Sequence, residues 1–246
     1  RLDETLCKKV LPNGLTVMVV PKPGFSRKIA YFMTNYGSIH TAFTLDGVRH
    51  TTPAGVAHYL EHKMFDLPDR DVTAEFAALG ATPNAFTSYS VTAYYFTCTE
   101  NFTPALRLLL EFVSTPYFTE ESVEKERGII AQEILMYADS ADSVVMETMN
   151  RGLYRHHPIR VPIAGTVESI QDITPEVLYD CHRAFYHPAN MILCVVGDVD
   201  ADEVAAIAEE ILPREKHAVA VPDFGEPEPE NAVIALQRQE MDVAMT

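Results

Sequence analysis

No stretch of this chain is apolar for long enough to span a bilayer, so a membrane-crossing helix is not expected. Basic residues are scarce as well. Lys and Arg number 19 against 35 Asp and Glu, a formal net charge of −16. That balance argues against binding a nucleic-acid backbone; it fits plain solubility or attraction of basic partners. Cysteines are few, at Cys7, Cys98, Cys181 and Cys194, with no C-x-x-C among them. Their spacing suggests neither a zinc knuckle nor a disulfide framework. Cys98 and Cys194 lie in apolar runs and are expected to be buried free thiols, which fits a reducing compartment. The first residues, Arg1-Leu2-Asp3-Glu4-Thr5, do not resemble a signal peptide, and an Arg start implies that the natural N-terminus lies elsewhere.

What is present suffices for a folded unit: 246 residues, 47% of them hydrophobic, can bury a substantial core. Residues 8–22 read as a hairpin around Pro12-Asn13-Gly14, since Asn-Gly favours a tight turn. A strand is expected over 28–36, then a polar connection over 46–53. A helix follows over 54–65, where Val56, Leu60 and Met64 recur every four residues. The next helix, 72–79, ends at Gly80, and residues 84–98 form one long strand. Thr103-Pro104 is expected to open a helix reaching Ser114, and Thr119 opens another that carries Glu126 and Glu133. Thr174-Pro175 starts a helix that ends near His187-Pro188. Residues 191–196 form an apolar strand, and Asp200 with Glu203 resembles a capping box for a last helix. Residues 213–231, rich in Pro and Glu, read as a linker, and 241–246 as the start of a strand. This order, without regular βαβ alternation, argues for an α+β fold with an antiparallel-rich sheet covered by helices.

The chemistry concentrates in His58-Tyr59-Leu60-Glu61-His62, an H-x-x-E-H motif. On a helix His58 and His62 share a face, so both imidazoles can meet one metal ion. Glu61 stands at the edge of that face, placed to take a proton from metal-activated water. Catalytic zinc takes three protein ligands, so one must come from elsewhere. Glu126 and Glu133 are seven apart, two helical turns, and face one side; one can ligate while the other orients a ligand. The other histidines, His40, His50, His156, His157, His182, His187 and His217, have no partner at ligand spacing and are read as structural or exposed.

These residues resemble a known family. Gly55-Val56-Ala57-His58-Tyr59-Leu60-Glu61-His62-Lys63-Met64-Phe65 resembles the zinc-site helix of the M16 peptidases, which include pitrilysin, insulin-degrading enzyme and mitochondrial processing peptidase. Asn84-Ala85-Phe86-Thr87-Ser88 resembles the family's substrate-pairing strand, and Glu126 to Glu133 its paired-glutamate helix. Ala164-Gly165-Thr166, His187-Pro188-Ala189-Asn190-Met191 and Gly197-Asp198 resemble later landmarks. The wording Glu61-His62-Lys63-Met64-Phe65 and Gln132-Glu133-Ile134 is most similar to bacterial two-domain processing-protease-like members. Seventy residues separate His62 from Glu133, slightly fewer than is usual in the family, as a trimmed loop would leave.

The resemblance implies a LuxS/MPP-like metallohydrolase half with His58, His62 and Glu133 as zinc ligands and Glu61 as base. It makes Glu126 the supporting carboxylate, and Asn84, Ala85, Phe86 and Thr87 the strand along which a peptide substrate adds. It divides the chain into a zinc-binding N-terminal domain, 1–212, and a linker with the start of a second domain, 213–246. The arginine and tyrosine that assist at the scissile carbonyl belong to that second half. The expected function is therefore a zinc endopeptidase domain in the bacterial cytoplasm, needing a second M16-like half in the same chain or a partner subunit. A non-catalytic peptide binder of the same family, or hydrolysis of a substrate other than a peptide, are the alternatives.

Overall fold

The computed structural model describes residues 4–225. The chain opens with β1 (Cys7–Val10) and β2 (Thr16–Pro21), paired antiparallel as the Asn13-Gly14 turn predicts. Gly14 takes a φ of 93°, which a side chain would resist. β3 (Lys28–Thr34) follows, then β4 (Ala42–Leu45) and β5 (Val48–Thr51). The helix α1 (Val56–Lys63) carries the motif; a small hairpin, β6 (Asp66–Leu67) and β7 (Arg70–Asp71), leads into α2 (Val72–Ala78). Next come β8 (Thr82–Thr87), β9 (Thr92–Cys98), α3 (Phe102–Ser114), α4 (Glu120–Ala138) and α5 (Ala141–Leu153). The described chain finishes with α6 (Pro175–Phe185), β10 (Met191–Gly197), α7 (Ala201–Ile211) and β11 (Val221–Pro222).

Six strands form the main sheet in the order β1-β2-β10-β3-β9-β8. Only the β2–β10 pair among them is parallel, so the antiparallel-rich α+β expectation holds. Strand alternation divides the sheet into two faces. Val17, Val19, Ala30, Phe32, Tyr94, Phe96, Leu193 and Val195 are buried on one, where α3 packs on β3 and β9, and α7 on β2. The opposite face is more open, and there Tyr31 stacks on Tyr95 with ring centroids 4.6 Å apart. Cys194 falls on this more open face and is only partly buried, against expectation, because Leu193 and Val195 take the core positions; Cys98 is buried as expected.

Several expected boundaries shift for physical reasons. Residues 84–98 are two strands, because Ser88 makes a turn without Gly or Pro: its hydroxyl donates to Val91 O and accepts from Val91 N. The polar connection 46–53 contains β5, paired to β4 through Asp46-Gly47, both at positive φ. The helix expected from Thr103 starts at Phe102 behind Asn101, whose amide reaches Leu79 O; Pro104 still lies in the first turn, where no helical donor is needed. Part of the expected linker is ordered, β11 pairing with β4 in a separate three-stranded sheet with β5. Helix starts at Thr119, Thr174 and Asp200 stand where the capping residues put them. The strand expected over 241–246 lies outside the described residues.

Two features set where α1 begins and how it turns. Gly55, at a φ of 93°, lies so close to the 164–165 backbone that an added Cβ would stand 2.5 Å from Ala164 O. Gly165 fits reciprocally against Ala54, and Ser169 Oγ donates to Ala54 O at 2.9 Å. At the far end Tyr59 donates its hydroxyl to Val123 O, while Lys63, fully buried, pairs with Asp66 and donates to Ser122 O at 3.1 Å. These bonds tie α1 to the first turn of α4.

Gly55→Ala is expected to lower unfolding stability by about 2–4 kcal/mol, combining left-handed strain with a backbone clash. A fall in the urea midpoint at unchanged m-value checks it. A second expectation concerns His182, whose Nε2 donates to Val113 O at 3.1 Å and whose ring stacks on Tyr186. Burial holds this imidazole at about 4, against an ordinary 6.5, with the Val113 bond working the other way. Between those values the unfolded chain binds more protons, so stability falls as pH drops through this window, by on the order of 3 kcal/mol. Metal-free His182→Gln should lose that dependence when unfolding is compared at pH 7 and pH 5.

Candidate metal centre and active site

The local sequence explains why the site forms where it does. On α1, Val56 and Leu60 face the core and are buried, which leaves His58 and His62 on the adjoining face, their ring centroids 4.6 Å apart. Helix α4 begins at a capping box built by Thr119 and Ser122, so its phase is set at residue 120. Glu126 and Glu133, two turns apart, then both face α1.

Nε2 of His58 lies 3.5 Å from Glu133 Oε1, and Nε2 of His62 lies 3.4 Å from Glu133 Oε2. Donor atoms of His58, His62 and Glu133 all come within 4.8 Å of one another, the one such group of His, Cys, Asp and Glu among the described residues. Ligands held about 2.0–2.1 Å from a tetrahedral zinc stand roughly 3.4 Å apart, so these separations suit a shared ion better than direct hydrogen bonds. A His, His, Glu set is also a common donor set for catalytic zinc. The residues present fit the metal.

The electrostatics agree. His62 Nδ1 donates to Glu126 Oε1 at 2.9 Å, which leaves the neutral ring's Nε2 lone pair facing Glu133. Burial would lower the His62 pKa, but the Glu126 bond and the charges of Glu61, Glu126 and Glu133 outweigh it and raise the ring above its ordinary value. The Glu133 carboxyl stands at about 2. His58 beside it lowers it most, burial works the other way, and the Tyr137 hydroxyl adds to the lowering. The cleft therefore favours positive charge. His58 Nδ1 differs from its neighbour in being buried with no hydrogen-bond partner among the described residues.

Glu61 is buried in the same wall, and its Oε2 accepts a hydrogen bond from Thr87 Oγ1 at 2.6 Å. Thr87 belongs to β8, the outer strand of the main sheet among the described residues. Alternation turns Ala85 and Thr87 toward the site, while Asn84 is exposed and folds its Oδ1 back onto Ala85 N. Phe86 is exposed as well, and with Ala85 and Thr87 it lines the cleft. That cleft, about 800 Å³, has the two histidines, Glu61 and Glu133 in its wall.

Other parts of the cleft were not foreseen from the sequence. Helix α5 supplies Asp142, Met146 and Glu147, and residues 162–166 line the cleft as well. Ser140, whose side chain caps α5 by accepting from Ser143 N, was a readable start signal. Tyr137 also escaped notice. It stands one turn beyond Glu133 and donates to its Oε1 at 2.7 Å, a contact that i, i+4 spacing allows. Among the described residues no helix is long and apolar enough to cross a membrane.

Known proteins share the sequence and the fold of this chain. The family model for insulinase (peptidase family M16) matches residues 46–167, and that for the peptidase M16 inactive domain matches 172–244. The chain is 47% identical over 212 residues to YmfH of Bacillus subtilis, named an uncharacterized zinc protease, covering 85% of this chain and 50% of that protein. A solved structure described as an M16-like peptidase, from Alicyclobacillus acidocaldarius, superposes with a TM-score of 0.86 at 43% identity, covering 93% of this chain and 55% of the other. A protease from Helicobacter pylori, 24% identical, shares the fold at a TM-score of 0.81, with 92% and 55% of the two chains covered. This chain thus spans about half the length of the curated relatives it matches. With that degree of identity across most of its length, the chain belongs to the M16, or insulinase, family of peptidases.

Proposed function

We propose that this chain is the zinc-binding half of an endopeptidase, with His58, His62 and Glu133 as ligands and Glu61 as general base. The observation that carries the reading is the separation of roles within one cleft. Three donors converge at ligand spacing, while the fourth, Glu61, is held out of that group by Thr87. Zinc held there supplies a Lewis acid, which polarises a carbonyl and acidifies water. Glu61 takes a proton from the attacking water and returns it to the departing amine; Thr87 occupies Oε2, so Oε1 is the oxygen left to exchange it. Glu126 keeps the His62 ring in orientation. The outer edge of β8 can take an extended peptide as an added strand beside Glu61, with Asn84, Ala85, Phe86 and Thr87 along its length.

A second M16-like half, in the same polypeptide or on a partner subunit, completes the proposal. Its support is the half-length match to relatives and the apolar residues that α4 and α5 leave exposed, among them Ile129, Met136, Val145 and Met149. Residues 1–212 form the zinc-binding domain in this reading and 213–246 lead toward the second half. α6, β10 and α7, though matched by the second family model, join the same fold, β10 lying between β2 and β3. Four free cysteines suit a cytoplasmic location.

The complete two-half protein is expected to hold one zinc per site and to cleave unfolded peptides. His58→Ala and Glu133→Ala should lose the metal. Glu61→Gln should retain it while kcat falls roughly 10²- to 10⁴-fold. Metal analysis beside peptide turnover checks this, and an unchanged rate in Glu61→Gln rules out the assigned base. Full zinc occupancy with no cleavage would favour a peptide-binding subunit. Thr87→Val, which keeps the side-chain shape, should lower kcat about tenfold with KM and zinc content little changed, and Thr87→Ser should recover most of it. A loss seen equally in KM would make Thr87 a substrate contact.

A further inference from the structure

The two ligands that face each other across the site are each held from outside the donor group, and both holders lie on α4. Glu126 holds His62 through Nδ1. Tyr137 holds Glu133, its hydroxyl donating to Oε1 at 2.7 Å. Glu126, Glu133 and Tyr137 stand at i, i+7 and i+11, which places them along one stripe of the helix. A glutamate side chain has three free torsions, and its terminal one is broad, so an unheld carboxylate samples many orientations. Between the imidazoles Glu133 instead presents Oε1 toward His58 and Oε2 toward His62, at 3.5 and 3.4 Å. Within the described structure, Tyr137 is the neighbour that hydrogen-bonds this carboxylate and is not itself a donor of the group.

We infer that Tyr137 is a positioning residue for the metal site, fixing the Glu133 carboxylate in the orientation that binds zinc. The inference rests on the metal-site reading above and adds a residue to it. The tyrosine has the right geometry for this task. It sits on the same rigid helix as the ligand, so the bond costs little ordering beyond what the helix already imposes. The residue is 38% exposed and lines the cleft beside Ile134 and Ala138. Removing the hydroxyl therefore leaves the packing of the core untouched. Partners that orient metal ligands commonly matter 10- to 100-fold in affinity when lost.

The test uses the complete polypeptide, stripped of metal, with zinc affinity measured by competition against a chromophoric chelator at fixed pH. Tyr137→Phe is expected to bind zinc roughly 10- to 100-fold more weakly. Its metal-free melting temperature should match that of the unaltered protein, which a merely structural role would not allow. A double-mutant cycle identifies the partner: in a Glu133→Gln background the same Tyr137→Phe change should weaken zinc binding far less. Equal affinity of Tyr137→Phe and the unaltered protein would overturn the inference and leave the metal-site reading standing. An unaltered protein that takes up no zinc would overturn that reading first, and the inference with it. A loss of the same size in both backgrounds would place the effect of Tyr137 elsewhere than on Glu133.

Discussion

Negative charge crowded against two imidazoles is the constraint on which this molecule turns. Glu61, Glu126 and Glu133 all act on His62, and all three are largely withdrawn from water. Like charges at such range are unfavourable unless something positive lies between them. Under the proposed function, a divalent cation held by His58, His62 and Glu133 would supply that positive charge. The rest of the fold can be understood as holding that unfavourable cluster in place. Tyr59 and Lys63 fasten α1 to the start of α4, and the close approach of residues 54–55 to 164–165 sets the other end.

The sheet contributes an edge as well as a floor. β10 lies between β2 and β3, so a strand from late in the chain joins the N-terminal hairpin to the rest of the sheet. The other side ends in β8, unpaired along its outer margin among the described residues and joined to α1 by the Thr87–Glu61 bond. In the proposed function, peptide recognition and proton transfer would both be served by this strand. A substrate that pairs along β8 would stiffen the residue that holds the base, which links binding to chemistry through a single hydroxyl.

Much of this was legible in the residues. Asn13-Gly14 marked the first hairpin, and Thr119, Thr174 and Asp200 marked helix starts, because caps and tight turns are satisfied by nearest neighbours. The turn at Ser88 was missed, since a serine side chain performs there what Gly or Pro ordinarily signals. Asp46-Gly47 was a readable hairpin signal that the polar composition around it obscured. The start of α3 was moved by Asn101, whose bond to Leu79 O connects residues 22 apart in sequence. Thr87 was read as a substrate contact; its bond to Glu61 depends on how β8 lies over α1, which no local pattern encodes.

The sequence by itself determined the donor chemistry. His58, Glu61 and His62 on one helix, and Glu126 and Glu133 on another, follow from residue type and a period of 3.6. Only the tertiary structure decided which atoms meet. It put both oxygens of Glu133 opposite the imidazoles, assigned Glu126 to His62, gave Glu61 to Thr87 and brought Tyr137 onto the Glu133 carboxylate. The reason is physical. Helical phase is a local property, whereas the facing of α1 and α4 is set by side chains packed across more than sixty intervening residues, as the Tyr59–Val123 bond shows.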